Sequence, residues 1–215
     1  MIATELAGEA VTLLPEKALH WPGGGTLFVA DLHWGKAASF RAVGVAVPNG
    51  SIHADLDRLG RALAATAAAR LVILGDLFHD LASKSAEVRD AVRDWRDARP
   101  DLEVLLVRGN HDRRSGDPPA GWGIRSESEP VAAGPFGCRH FPDPTPGLYT
   151  LAGHVHPSVT LRGAGRQRLR LPCFHFGPSV GILPAFGGFT GTVDVPVSAG
   201  DRVYVVADDE VLAVA

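Results

Sequence analysis

Three short aliphatic runs, each emptying directly into a polar cluster, constrain this chain more than any other feature. The central one is Leu71-Val72-Ile73-Leu74, which ends in Gly75-Asp76. An unbroken aliphatic run of this length, bounded by Ala-Arg and Gly-Asp, predicts a parallel strand buried on both faces. Such a strand delivers Asp76 to its carboxyl end, where open α/β sheets place their ligands. Gly75, lacking a Cβ, lets another group approach the backbone. Thr26-Leu27-Phe28-Val29-Ala30 repeats the pattern and runs into Asp31-Leu32-His33. Val104-Leu105-Leu106-Val107 runs into Arg108-Gly109-Asn110-His111-Asp112.

Helical patterns separate these strands. Ser51 is placed to cap a helix whose Ile52, Leu56, Leu59 and Leu63 share one face, with Arg58 and Arg61 pointing elsewhere. A second helix is expected over 83–99, with Val88, Val92 and Trp95 inward and Pro100 as its stop. Residues 9–20 suggest a hairpin turning at Pro15-Glu16, and residues 34–50 read as a long loop. After Arg113 a loop over 113–123 is followed by strands instead of helices, expected at 136–141, 148–152, 158–162, 167–171, 191–195, 202–207 and 211–214. Gly163-Ala164-Gly165 is a hairpin-turn candidate. The βαβ units followed by a β-rich half predict an α/β fold, a two-sheet β-sandwich core flanked by helices. With 215 residues, 46% hydrophobic and 21% charged, and no internal repeat, one domain over 1–215 is expected.

Composition narrows the setting. A net charge of −3 provides no global basic field, so any nucleic-acid contact has to be a local patch. Cys138 and Cys173 have neither metal spacing nor a disulfide framework, which suits a reducing, cytoplasmic location. No apolar run is long enough to span a bilayer, and Glu5 and Glu9 argue against a signal peptide.

The polar clusters carry the chemistry. Asp31 and His33 stand at i and i+2, and in extended backbone they point to one side. His154 and His156 repeat that spacing in Gly153-His-Val-His-Pro157. His140 follows the expected strand at Phe136, and Asn110 ends the third parallel strand. Carboxylate, imidazole and amide oxygen suit Mn²⁺, Fe²⁺ and Zn²⁺. A single histidine at a strand end is ordinarily a hydrogen-bonded surface residue, and His20, His53 and His175 are read that way. His79 and Asp80, close behind Asp76, are expected to support the site. Five clusters in one order, each after a strand, do not fit the ordinary reading. Lys36 and Arg41 follow Asp31 and His33 in the loop and are candidate phosphate contacts, as is Arg113; Arg114 adds to the nearby cations. Trp34 and Phe40 either stack on bases or pack on the core. Arg166, Arg168 and Arg170 alternate as on one strand face, with Arg162 across the turn. They form either a phosphate-tracking ladder or a charged, aggregation-resistant edge.

The order Asp-x-His, Gly-Asp, Gly-Asn-His-Asp, His, Gly-His-x-His resembles the calcineurin-like metallophosphoesterase superfamily. Nearly the whole chain, through TLFVADLHWGKAASFRAVGVAVP, LVILGDLFHD, LPCFHFGP and LPAFGGFTG, resembles one bacterial group within it, the ligase-associated DNA damage response endonucleases. The resemblance implies two divalent metal ions, Mn²⁺ foremost with Fe²⁺ or Zn²⁺ as alternatives. One is held by Asp31, His33 and His156 with Asp76 bridging, the other by Asp76, Asn110, His140 and His154. It implies in-line attack on a phosphodiester by a metal-bridging hydroxide, with His111 facing the scissile phosphate and Asp112 orienting its ring. The implied partner is DNA, single-stranded by expectation, in a repair setting shared with ligase and helicase proteins. The rival readings are a phosphoesterase for nucleotides or cyclic nucleotides, and a non-catalytic scaffold of the same fold.

Overall fold

The computed structural model describes residues 1–42, 44–46, 51–81 and 83–214. Seven strands form the first sheet in chain order: β1 (Ile2–Leu6), β2 (Glu9–Leu14), β3 (Ala18–Trp21), β4 (Thr26–Val29), β5 (Arg70–Leu74), β6 (Glu103–Val107) and β7 (Ile124–Glu127). The first four pair antiparallel, and β4 to β7 are parallel. The hairpin expected at Pro15-Glu16 joins β2 to β3. The parallel connections carry the helices α1 (Lys36–Ala42), α2 (Ser51–Thr66), α3 (Ala86–Asp97) and α4 (Asn110–Ser115).

Residue alternation divides each central strand between two cores. Leu27 and Val29, Leu71 and Ile73, and Val104 and Leu106 face one side, where Ile52, Leu56, Leu59 and Leu63 of α2 and Val88, Val92 and Trp95 of α3 cover them. Phe28, Val72, Leu74, Leu105 and Val107 face the other side and meet Phe136, Leu151, Phe174 and Phe176 of the second sheet. That sheet is mixed. It contains β8 (Val131–Ala133), β9 (Phe136–Cys138), β10 (Tyr149–Ala152), β11 (Pro157–Arg162), β12 (Arg168–Phe176), β13 (Val180–Ile182), β14 (Val193–Asp194), β15 (Arg202–Ala207) and β16 (Glu210–Ala213). A small cluster of Cys173, Val203 and Val205 lies apart from both large cores. The expected two-sheet α/β sandwich is the fold, with α2 and α3 packed on the first sheet.

Several local expectations need correction. The segment 34–50 is not all loop: Lys36–Ala42 is a helix, seated by the buried Ala37, while 47–50 lie outside the described residues. Ser51 is itself the first helical residue. The second helix starts later than expected, at Ala86, because Ser85 caps it by accepting a hydrogen bond from the Val88 amide at 3.3 Å. The stretch read as loop after Arg113 is still helical to Ser115. Strand β9 stops at Cys138, which frees His140 from the sheet. Arg58 does not point away from the structure. Its guanidinium reaches the buried Asp55 at 2.6 Å, bonds the Phe186 carbonyl and lies 4.5 Å over the Phe186 ring. Asp55 also accepts from the Gly188 amide at 3.0 Å, so α2 pins the 186–188 segment beside the end of β4.

Truncating Leu59, fully buried between α2 and the sheet, is expected to cost about 2–5 kcal/mol. Urea unfolding of Leu59→Ala measures this. Metal content per folded molecule should stay at the wild-type value, since the cavity lies on the helix side of the sheet.

Candidate metal centre

The strands of both sheets end on the same side of the sandwich. Asp31 and His33 follow β4, Asp76 follows β5 and Asn110 follows β6. From the second sheet, His140 follows β9, and His154 and His156 lie between β10 and β11. All seven expected metal ligands therefore converge, though not through extended backbone. Asp31, His33, Asp76, His154 and His156 all have positive φ, between 46° and 69°. The argument that i and i+2 side chains share a face of a strand is thus replaced by tight left-handed turns. Side chains larger than glycine adopt that region at a cost of about 1–3 kcal/mol each, and such strain collects at functional sites.

Backbone bonds hold these turns. The amides of Asp31, His33 and Trp34 donate to the carbonyls of Gly75, Asp76 and Leu77 at 3.2, 2.9 and 2.8 Å, extending the β4–β5 pairing past the sheet. The Gly187 amide donates to the Asp31 carbonyl at 3.1 Å. Asp112 was expected to orient the His111 ring, but its buried carboxylate is used otherwise. It accepts from the amides of Asp76 (2.7 Å), Gly109 (2.8 Å) and Leu77 (2.9 Å), tying the ends of β5 and β6 together. Two glycines make room at the centre. A Cβ on Gly75 would sit 2.2 Å from the His140 ring, and one on Gly109 would sit 2.3 Å from Oδ1 of Asp76.

Asp76 is the hub. Its Oδ1 accepts from the His111 amide at 2.9 Å, and its Oδ2 lies 3.5 Å from His140 Nε2, 3.8 Å from His33 Nε2 and 3.9 Å from His111 Nε2. On one side, Nε2 of His156 lies 3.4 Å from both Asp31 Oδ1 and His33 Nε2. On the other, Nε2 of His140 lies 2.9 Å from Asn110 Oδ1 and 3.0 Å from His154 Nδ1. Asp31, His33 and His156 form one group able to hold an ion, and Asp31, Asp76 and His140 another.

The electrostatics also fit cations. Burial, and then the charge of Asp31, push the Asp76 carboxyl up to about 8. Burial, and then the neighbouring His156 and Lys36, push His33 down to about 2. Asp31 Oδ1 is buried without a hydrogen-bond partner. A buried carboxylate oxygen without a hydrogen-bond partner, and imidazoles crowded on a second carboxylate, form the environment that divalent cations stabilise.

The surrounding residues divide. Nδ1 of His111 bonds the His79 carbonyl, and the two rings stack at 4.9 Å. Phe40 stacks on the His79 ring at 6.3 Å, whereas Trp34 is packed into the core. Asp80 accepts from the Ser39 hydroxyl at 2.7 Å and the Ser83 amide at 2.8 Å, joining α1 to the loop after β5. Lys36 is half-buried, and its charge helps keep His33 and His79 neutral. Arg41 is engaged by Glu87 of α3 at 3.7 Å, and Arg113 by Glu129 at 3.8 Å. Arg114 instead lines a cavity of about 360 Å³ with His79, Asp80, Leu81 and His111. The sequence reading missed Glu129, which accepts from the amides of His140 (2.7 Å) and Phe141 (3.2 Å) and so positions the His140 turn. No local pattern marks it, because its partners are eleven and twelve residues away.

The calcineurin-like phosphoesterase family model matches residues 26–189, a span that contains every one of these candidate ligands. The chain belongs to the calcineurin-like phosphoesterase family. This phosphoesterase is 40% identical to the Pseudomonas putida nuclease MPE, whose crystal structure superposes with a TM-score of 0.88 over 99% of both chains. No curated protein matches it. Family membership and the convergent donor set make it a metal-dependent phosphoesterase. Among the described residues no helix is long and apolar enough to cross a membrane.

Two outcomes are expected. Asp112→Ala strands three buried amides, so it should lose about 3 kcal/mol or more and most metal binding, read by urea unfolding and metal analysis. The second concerns pH. The folded Asp76 carboxyl titrates above its ordinary value of 3.8, so the metal-free fold is favoured at low pH and loses that advantage as pH rises through about 8. Below 6.5 the neutral His33 opposes this. From pH 6.5 to 8 the metal-free melting temperature should therefore fall, while the upward shift produced by Mn²⁺ should grow. Asp76→Asn should remove the growth.

Proposed function

We propose that this phosphoesterase is a DNA endonuclease, hydrolysing internal phosphodiesters of single-stranded DNA with two divalent cations, Mn²⁺ being the expected metal. The observation that carries this reading is full-length similarity, at 40% identity, to a protein described as a nuclease. The motifs shared with the ligase-associated endonuclease group support a role in DNA repair, in the cytoplasm, alongside ligase and helicase proteins.

In this reading Asp31, His33 and His156 would hold one ion and Asn110, His140 and His154 the other, with Asp76 placed between the two groups. When bound, the ions supply Lewis acidity and a nucleophile at neutral pH. The chain's own groups do the rest. The His79 carbonyl takes up Nδ1–H of His111, which leaves Nε2 turned toward Asp76 Oδ2 at 3.9 Å. Protonated there, His111 donates to the leaving sugar oxygen, a poor leaving group for which acid assistance matters most. Asp112 acts one step back, by fixing the loops that carry Asp76 and Gly109. Lys36 meets the phosphate oxygens, and Arg113 and Arg41, beyond their present carboxylate partners, guide the flanking backbone. His154 is exposed and the His111 side chain is 28% exposed, so the cluster opens to the surface where a polymer has access.

A second reading, a small-molecule phosphoesterase, is favoured by the 360 Å³ cavity against His111 and Arg114, a size that accommodates a nucleotide. Circular single-stranded DNA separates the two because it has no ends. Incubation with Mn²⁺ should yield linear products. An intact circle beside rapid phosphate release from a generic monoester would transfer the enzyme to the second reading. His111→Ala should retain metal and lose turnover by about 10²-fold or more, whereas Asp76→Ala should lose both. Equal metal loss in the two variants, by elemental analysis, would remove His111 from the catalytic role.

A further inference from the structure

The arginines of the second sheet are arranged differently from a simple ladder. Strand β11 begins at Pro157, immediately after His156, and pairs antiparallel with β12 through a turn containing Gly163, Ala164 and Gly165. Every residue from 161 to 170 is exposed. Arg166 is not on the strand at all; it lies in the turn with φ of 68°. Arg170, nearer the base, is neutralised by Asp194 at 3.3 Å, which also accepts from the hydroxyls of Thr160 and Ser158. The tip differs. Arg162 and Arg168 stand directly opposite each other in register. With Arg166, Gly163 and Gln167 they line a concavity of about 550 Å³. Among the described residues no carboxylate pairs with Arg162, Arg166 or Arg168.

Like charges facing each other across two strands are destabilising, and guanidinium cannot relieve the repulsion by losing its proton. Charges that merely protect a sheet edge could alternate in sign or spread out. Here one end of the hairpin is shared by Asp194, and the other holds three cations around a single hollow in a chain whose net charge is −3. The planar fork of arginine matches phosphate oxygens two at a time.

We propose that the β11–β12 tip is a phosphate cradle, formed by Arg162, Arg166 and Arg168, that grips the backbone of single-stranded DNA away from the metal centre. The cradle rests on the DNA reading above and deepens it. From His156 to Arg162 there are six residues of chain, so at about 3.4 Å per residue the tip lies at most about 20 Å from the ligand. A strand held at the metals spans that distance with at most about six nucleotides, the number at the duplex rise of about 3.4 Å each, and with fewer when it is unstacked and extended. Long strands therefore reach both places and very short ones do not.

The experiment uses the full chain with Mn²⁺ and three substrates: a linear single strand of about 30 nucleotides, a dinucleotide as the short strand, and a small chromogenic diester. In R162Q/R166Q/R168Q, KM for the long strand should rise about tenfold, and the logarithmic salt slope should shrink by about 2, from three lost contacts at about 0.7 each. Rates on the short strand and the diester should match the wild type, which also shows that the variant folds. The corresponding triple lysine variant should keep most of the salt slope. An unchanged KM and salt slope on the long strand overturn the cradle while leaving the endonuclease reading intact, and turn the three arginines toward an acidic protein surface instead. A wild-type enzyme that hydrolyses the diester but neither binds nor cuts DNA overturns the endonuclease reading and the cradle together.

Discussion

One buried carboxylate holds the centre together. Asp112 accepts three backbone amides, from Asp76, Leu77 and Gly109, and thereby fixes the end of β5 against the start of α4. That bond set places the His111 amide under Asp76 Oδ1, and the other oxygen of Asp76 then faces His33, His140 and His111. The Asp112 carboxyl lies above its ordinary range because burial opposes its charge, but the three amides pull in the opposite direction. The bonds made by this group are local electrostatics in a low-dielectric interior, where unpaired amides would be expensive.

The strain in the site follows from the same economy of space. Seven donors have to meet within a few ångströms at the ends of five strands from two sheets. A strand that simply continued would point alternate side chains away from the cluster. Left-handed turns at Asp31, His33, Asp76, His154 and His156 stop the strands and swing the donors inward. The bonds from β4's end to β5's end, the Asp55–Arg58 clamp on the 186–188 segment and the hydrophobic cores on both faces of the first sheet hold those turns in place. A rigid frame of this kind keeps lone pairs crowded before any cation arrives, which favours cations over collapse of the cluster.

Outside the cluster, positive charge is distributed unevenly. Arg41 and Arg113 already have carboxylates, Glu87 and Glu129, while Arg114 faces the hollow beside His111. Among the described residues, Arg162, Arg166 and Arg168 at the hairpin tip also have no carboxylate partner.

The local pattern of the sequence determined a good deal. Aliphatic runs of four or five residues have one stable place in a soluble α/β protein, a strand buried on both faces, so β4, β5 and β6 and the polar residues at their ends were legible. The ligand types, their order and the βαβ connections followed from the same pattern. What tertiary structure alone decided was direction and pairing. The short helix at Lys36–Ala42 has little periodicity of its own and is held by Ala37 packing and the Ser39–Asp80 bond. Whether Asp112 serves His111 or the backbone depends on amides thirty-five and thirty-six residues away. Glu129 reaches His140 across a strand pair, and Arg166 leaves the ladder because the turn between β11 and β12 takes it. Residue spacing encodes which face of an element a side chain occupies. It does not encode the long-range hydrogen bonds and turn conformations that bring seven such side chains to one point.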